Sequence, residues 1–305
     1  VEFYFYIYPA LLSRCTVFEF KSVTAEDCIP AVRRAYDLIA EERNIDIQLE
    51  EGVERTIAYS CGGDVRKALN CTELSVLSSR KNEDGSFTSA SGCGNDCATE
   101  KKAMQKLIVD SLEHWTKNYD VDGFRFDLMG CIDVPTMNNI RSELDKISTK
   151  ILMYGEPWIG GSNNGISNGS TTANFSQLNS RIGGFNEAYS DGMKGDHGSA
   201  KKAGFVGGGT DSEVLNAASG KSSKLPGKVT QLVNYTDNHD NLCMFDKILA
   251  VNGKITAGED SKDLYTKNKA GVNNPGEPSL SQMKLGLTSA LTTQGIPFTL
   301  AGTEF

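Results

Sequence analysis

The sequence predicts an α/β fold in which parallel strands are joined by helical crossovers, preceded by a smaller, wholly helical segment. Three observations carry this expectation. From residue 100 onward, helical stretches alternate with short apolar runs of strand character, the pattern that parallel βαβ units leave in a sequence. Residues 24–80 show helical periodicity alone. Between the two regions lies KNEDGSFTSASGCGND, residues 81–96, which is polar, rich in Gly and Ser and without periodicity. It sets a boundary between residues 1–82 and 83–305.

Three helices are expected upstream, over residues 24–43, 50–59 and 64–79. Thr24-Ala-Glu-Asp27 has the form of a capping box, with a hydroxyl at the N-cap and an acid three residues on. Gly62-Gly63 ends the second helix and Asp64 caps the third. Downstream, an amphipathic helix over residues 100–119 leads into VDGFRFDLMG, residues 121–130, read as a strand. A helix over 138–148 and a strand over 150–156 (KILMYGE) follow. Then come a strand over 228–235 (KVTQLVNY), a helix over 279–293 and a strand over 296–301 (IPFTLA). Residues 160–169 and 204–227 are rich in Gly, Asn and Ser and are expected as long loops. In a β/α barrel, loops after strands build the active-site face.

At 305 residues and 39% hydrophobic content, the chain can bury a substantial core. Its net charge of −8, with no long basic run, argues against a general nucleic-acid or membrane-surface binder and fits an acidic enzyme with a neutral substrate. No apolar run reaches the roughly 18 residues of a membrane helix and no signal peptide is visible, so the expected location is cytoplasmic. The chain opens on VEFYFYIYPALL without an initiator Met and reads as an internal fragment. Its eight cysteines are scattered, and Cys93 and Cys97 have no second ligand pair at zinc-finger spacing. The thiols are therefore expected to be mostly reduced and buried, with no metal and no cofactor.

Within residues 121–130, Val121, Gly123, Arg125 and Asp127 fall on one face of a strand, and Phe124, Phe126 and Leu128 on the other. An unpaired buried carboxylate is costly, so the two charges imply either a mutually compensated, half-buried site or an edge strand with a solvated ionic face. Two more carboxylates follow apolar strands: Glu156 after MYG, and Asp240 in NYTDNHDN. Retaining glycoside hydrolysis needs such groups. One carboxylate attacks the sugar carbon while a second, its pKa raised, protonates the leaving oxygen, the two standing about 5 Å apart. Arg125 can hold the nucleophile ionised, and His239 with Asp240 can hydrogen-bond sugar hydroxyls as positive charge develops.

VDGFRFDLMG, YGEPW and DNHDN, in this order, resemble three motifs of glycoside hydrolase family 13, the α-amylase family. More narrowly, DGSFTSASGCGND, GFRFDLMG, RIGGFNEAYSDGMKG and GIPFTLAGTEF resemble type I pullulanases, debranching enzymes that hydrolyse α-1,6 bonds in pullulan and branched starch. The resemblance covers residues 83–305. It implies about strands 4–8 of a (β/α)8 TIM barrel and an α-glucan substrate. By motif, Asp127 would be the nucleophile, Glu156 the general acid/base and Asp240 the transition-state stabiliser, with Arg125, His239, Trp158 and Asn241 binding substrate. Trp158 either stacks on a sugar ring or lies in the core. The family's earlier Asp and Asn-His motif and the upstream pullulanase signature are absent, so an incomplete barrel with impaired activity is expected.

Residues 1–80 carry a second resemblance. FYFYIYPALLSRCTVFEFKSVTAED and CGGDVRKALNCTELSVL look like AAA+ ATPases of the replication-associated recombination protein A group. This implies a mostly helical AAA+ sensor or lid fragment, in which Arg14 would act in trans on a neighbour's ATP and Arg66 would sense nucleotide. ATP and DNA would be partners of that parent alone. The Walker A loop and Walker B acid are absent, so this piece is not expected to hydrolyse ATP by itself. Two reaction classes meeting at mid-domain points read as a chimera of two truncated reading frames, arisen by rearrangement or misassembly. Besides α-glucan debranching, the competing expectations are a AAA+ recombination factor, a non-catalytic sugar-binding protein and a chain with neither activity.

Overall fold

The computed structural model describes residues 21–81, 85–161, 166–255 and 271–303, and the chain divides into two units, Val1–Ser78 and Ser79–Phe305. The first contains helices α1 (Ala25–Arg43), α2 (Val53–Ser60) and α3 (Val65–Leu77). Local chemistry sets their ends. The Thr24 capping box forms, with the Asp27 N–H 3.2 Å from Thr24 Oγ1 and the Thr24 N–H 2.9 Å from Asp27 Oδ2. Asp64 Oδ1 likewise accepts the Lys67 N–H at 2.9 Å. The second helix starts at Val53 rather than residue 50, because Gly52 holds a left-handed backbone (φ 89°) at its N-cap. Cys28, Val32 and Tyr36, spaced four apart on α1, pack with Ala58, Cys61, Ala68 and Val76 into this unit's core.

The second unit runs α4 (Lys102–Tyr119), β1 (Gly123–Phe126), α5 (Val134–Ile147), β2 (Leu152–Gly155), β3 (Ile182–Phe185), α6 (Glu187–Lys194), α7 (Ser212–Ala218), β4 (Leu232–Tyr235), α8 (Met244–Val251), α9 (Glu277–Thr292) and β5 (Ile296–Phe298). All five strands are parallel and lie side by side in sequence order. The sheet is strongly curled. Strands β2 and β5 are three strand spacings apart, roughly 14 Å along a flat sheet, yet the rings of Tyr154 and Phe298 meet at 6.2 Å between centroids. The concave face carries Arg125, Tyr154, Phe185, Val233, Tyr235 and Phe298, and the convex face packs Phe126, Met153, Ile182 and Leu232 against Met137, Ile140 and Leu144 of α5. This is a curled parallel half-barrel, the architecture expected of a partial (β/α)8 fold.

Several expectations need correction. The strand expected over residues 121–130 ends at Phe126, because Leu128 turns into a left-handed conformation (φ 43°). Helix α5 starts at Val134, before the expected residue 138, since Asp133 Oδ1 caps the Thr136 N–H at 3.0 Å and Pro135 is tolerated in the first turn. Strand β3 was hidden in RIGGF, where two glycines replace the apolar run. Close packing requires at least one of them: a Cβ on Gly184 would stand 2.6 Å from the buried Phe175 ring. The expected loop over 204–227 contains α7, and α6 and α8 were not anticipated. The seven described cysteines are free, but only Cys28 and Cys61 are buried, while Cys93 and Cys97 are exposed. Cys15 lies outside the described residues. Among those residues, no helix is long and apolar enough to cross a membrane.

Candidate active site

Parallel strands place all their C-terminal ends at one rim, and the three carboxylates follow β1, β2 and β4 there. Glu156, directly after β2, is fixed by its own backbone N–H donating to Phe126 O at 3.0 Å. Its side chain is 1% exposed. Oε1 accepts Arg125 Nη2 at 2.5 Å, and Oε2 accepts the backbone N–H of Leu128 at 2.8 Å. The left-handed turn at Leu128 aims that N–H at the carboxylate, so a residue whose backbone is strained supplies one of the acid's two partners. Two residues on, the Gly130 N–H donates to the carbonyls of Glu156 and Trp158, both at 3.1 Å. A Cβ on Gly130 would stand 2.3 Å from Trp158 O, so this close approach admits only glycine.

Arg125 Nη1 also reaches Asp127 Oδ1 at 2.8 Å, so one guanidinium bridges both carboxylates while lying over the Phe185 ring at 5.4 Å. Both sequence alternatives for this stretch are thus partly realised: β1 is an edge strand of the five-stranded sheet and Asp127 is 59% exposed, but its charge is compensated. His239 Nε2 stands 3.5 Å from Asp127 Oδ1 and 3.5 Å from Asp240 Oδ1, linking the two outer acids. An oxygen of Asp127, an oxygen of Glu156 and a ring nitrogen of His239 all lie within 4.8 Å of one another. Burial pushes the Glu156 carboxyl above the ordinary carboxylate value, an effect that the Leu128 N–H and Arg125 oppose without cancelling.

A cavity of about 310 Å³ adjoins this group, lined by Trp158, Asp191, Lys194, Tyr235, Asp240 and Asn241 among others. Trp158 serves both alternatives: it packs against the concave-face cluster of Phe185, Val233 and Tyr235 and also walls the cavity. Also along the cavity wall, Glu187, Asp191 and His197 bring ligand atoms within 4.8 Å of one another, a spacing a cation can use. Lys224 Nζ already serves there, 2.9 Å from Glu187 Oε2 and 3.2 Å from Asp191 Oδ2. Sequence reasoning missed this second cluster, as well as Lys194 and the buried Asp237. The signals for the second cluster and for Asp237, NEAYSDGMKG after the hidden strand and the first acid of TDNHDN, were visible in the sequence. Of the two arginines expected in nucleotide chemistry, Arg66 is exposed near the start of α3, and Arg14 lies outside the described residues.

A curled parallel sheet with an arginine-bridged carboxylate pair at its C-terminal rim is the architecture of a partial (β/α)8 barrel, and the comparisons find this chain similar to pullulanases. The chain is similar to the pullulanase of Bacillus subtilis strain 168, 29% identical over 233 residues, which make up 74% of this chain and 30% of that protein. Among solved structures, it is similar to the Paenibacillus barengoltzii pullulanase in complex with maltohexaose and α-cyclodextrin, at 34% identity and a TM-score of 0.62 over 74% of this chain and 33% of that one. The Anoxybacillus sp. LM18-11 pullulanase complexed with maltotetraose matches with 33% identity and a TM-score of 0.62, over 75% and 31% of the two chains. The chain therefore spans about a third of the length of these relatives. No protein-family model matches it.

Proposed function

We propose that the chain is a retaining glycosidase acting on α-1,6 branch linkages of pullulan- or starch-type glucans. The observation that carries this reading is the Arg125 bridge between the half-exposed Asp127 and the buried Glu156, whose pKa is raised, in a segment that is pullulanase-like. Asp127 attacks the anomeric carbon as the bond from that carbon to the glycosidic oxygen breaks, and the proton of Glu156 passes to the leaving oxygen. Water then attacks the same carbon, giving its proton to the Glu156 carboxylate and releasing Asp127. Each Glu156 oxygen accepts one hydrogen bond in the free chain, which leaves a lone-pair site on each for the proton and the substrate oxygen. Arg125 can yield Oε1 while keeping its bond to Asp127, which leaves Glu156 better able to hold its proton. Asp240 and His239 face the developing positive charge.

Turnover by this chain alone is expected to be slow, because the five strands among the described residues leave the concave face open. A second cavity of about 580 Å³ there is bordered by Leu152, Tyr154, Arg181, Ile296 and Phe298. Reducing-sugar release from pullulan tests the reading, with Asp127→Asn and Glu156→Gln each abolishing it. Fast hydrolysis that is lost in Asp127→Asn would show that the five strands suffice. The same release from unbranched α-1,4 glucan, but none from pullulan, would overturn the linkage assignment.

A further inference from the structure

Lys194 ends α6 with its side chain only 4% exposed, an expensive place for an ammonium group. Burial disfavours its charge, and nearby Asp237, Cys243 and Asp191 favour it. Its Nζ donates to the carbonyl of Leu242 at 3.1 Å. That carbonyl belongs to the loop carrying His239 and Asp240, which leaves β4 and returns into α8. The loop's two ends are tied together by the buried Asp237, which accepts from the Met244 N–H and from Thr236 Oγ1 at 2.9 Å. Between those ends the chain is internally organised but lightly anchored. Asp240 N–H donates to Asn238 Oδ1 at 2.9 Å, and Asn241 holds a left-handed backbone (φ 62°). Among the described residues, the Lys194 bond is the hydrogen bond that ties the backbone of residues 238–242 to another element.

We propose that Lys194 is a positioning residue: its buried ammonium, bonded to the Leu242 carbonyl, holds the loop so that His239 and Asp240 face Asp127 and Glu156. The proposal rests on the glycosidase reading. Lys194 acts through the placement of these two side chains, of which His239 stands 3.5 Å from Asp127 Oδ1 across the site. Such spacing leaves little tolerance, since a shift of about 1 Å at a reacting group can cost about a hundredfold in rate.

The test compares the unaltered chain with Lys194→Met, which keeps the stem but not the donor, and Lys194→Arg, which keeps the charge. Two measurements are made: pullulan kinetics and backbone amide exchange over residues 238–243. In Lys194→Met, loop amides are expected to exchange about tenfold faster while those of β1 and β2 stay unchanged. Its kcat falls about a hundredfold with KM within about twofold, as expected when a group acting only in the transition state is misplaced. Lys194→Arg recovers part of both losses. Unchanged loop exchange in Lys194→Met overturns the proposal, and so does a loosened loop with unaltered kcat. No turnover by the unaltered chain overturns the glycosidase reading instead, and with it the catalytic purpose of the bond; the exchange result then reports only whether Lys194 holds the loop.

Discussion

Arg125 Nη2 lies 2.5 Å from Oε1 of Glu156, a carboxylate whose side chain is only 1% exposed, making this the most deeply buried ion pair described in the candidate site. Burial raises the Glu156 pKa, and Arg125 is one of the groups that oppose the rise. Arg125→Gln should therefore raise it further. In the role proposed for it, general acid, Glu156 works only while protonated, so the alkaline limb of kcat/KM is expected to move to higher pH. The rate at the optimum should fall about a hundredfold, the scale of losing one preorganised charge at a reacting centre. A pH–rate profile on pullulan checks both. An unmoved alkaline limb would assign that limb to some other group.

Glu156 also links function to stability. Its folded-state pKa lies above the ordinary value of 4.5, so the folded chain binds its proton more tightly than the unfolded chain does. The resulting stability is fully present below the unfolded value and is lost as pH rises through the folded one. Glu156→Gln, which cannot ionise, should therefore melt at a higher temperature than the unaltered chain at pH 7, with the gain shrinking toward pH 4. Thermal melts at the two pH values measure the difference. A constant offset at both would mean that ionisation of Glu156 carries no stability cost.

Asp96 shows the opposite sign. Its buried carboxylate accepts from Thr88 Oγ1 at 2.7 Å and from the N–H groups of Ala90 and Ser91 at 2.6 and 3.0 Å. Burial pushes its pKa up, but these donors outweigh burial and hold it below the ordinary value. The stability it supplies is present above the unfolded value near 3.8 and is lost as pH falls through the lower folded one. The loop it shapes supports the segment after Glu156, where the Gly161 N–H donates to Ala90 O at 2.7 Å. Asp96→Ala is expected to cost about 2–3 kcal/mol at pH 7, the scale of losing charge-assisted hydrogen bonds in a buried site. Denaturant unfolding should show the cost fading at acid pH.

The residues of the candidate site that could be read from the sequence are those that end strands. Arg125 and Asp127 stood out because their charges broke an apolar alternation, and Glu156 and Asp240 because each followed an apolar run. Side-chain period alone put Arg125 on the face opposite Phe124 and Phe126, and the structure places it on the concave face. What stayed hidden acts through contacts distant in sequence or through the backbone. Lys194 meets a carbonyl 48 residues away, and no local pattern marks a lysine that will be buried. Leu128 contributes only an N–H, available because its backbone is left-handed, which its side chain disguises. Strand β3 escaped because the packing of Phe175 against Gly184 removed the side chain that would have marked it.

The thiols that the sequence left equivalent are now ranked by their surroundings. Burial pushes Cys243 up to about 12 and Cys131 up to about 11, in both cases with nearby carboxylates adding to the effect. The thiolate is the reactive form, so at pH 8 both are almost wholly in the inert form. Cys93 is exposed, with its sulfur 3.7 Å from the Ser91 carbonyl. Among the described thiols, iodoacetamide followed by peptide mass spectrometry is expected to alkylate Cys93 first, with Cys131 and Cys243 labelled only after unfolding in guanidinium. Cys243 is a sharp case because its sulfur also accepts the Asp246 N–H at 3.5 Å at the start of α8, in the loop carrying Asp240. If Cys243 labels as fast as Cys93 in the folded chain, that loop opens far more readily than its anchors at Asp237 and Lys194 allow.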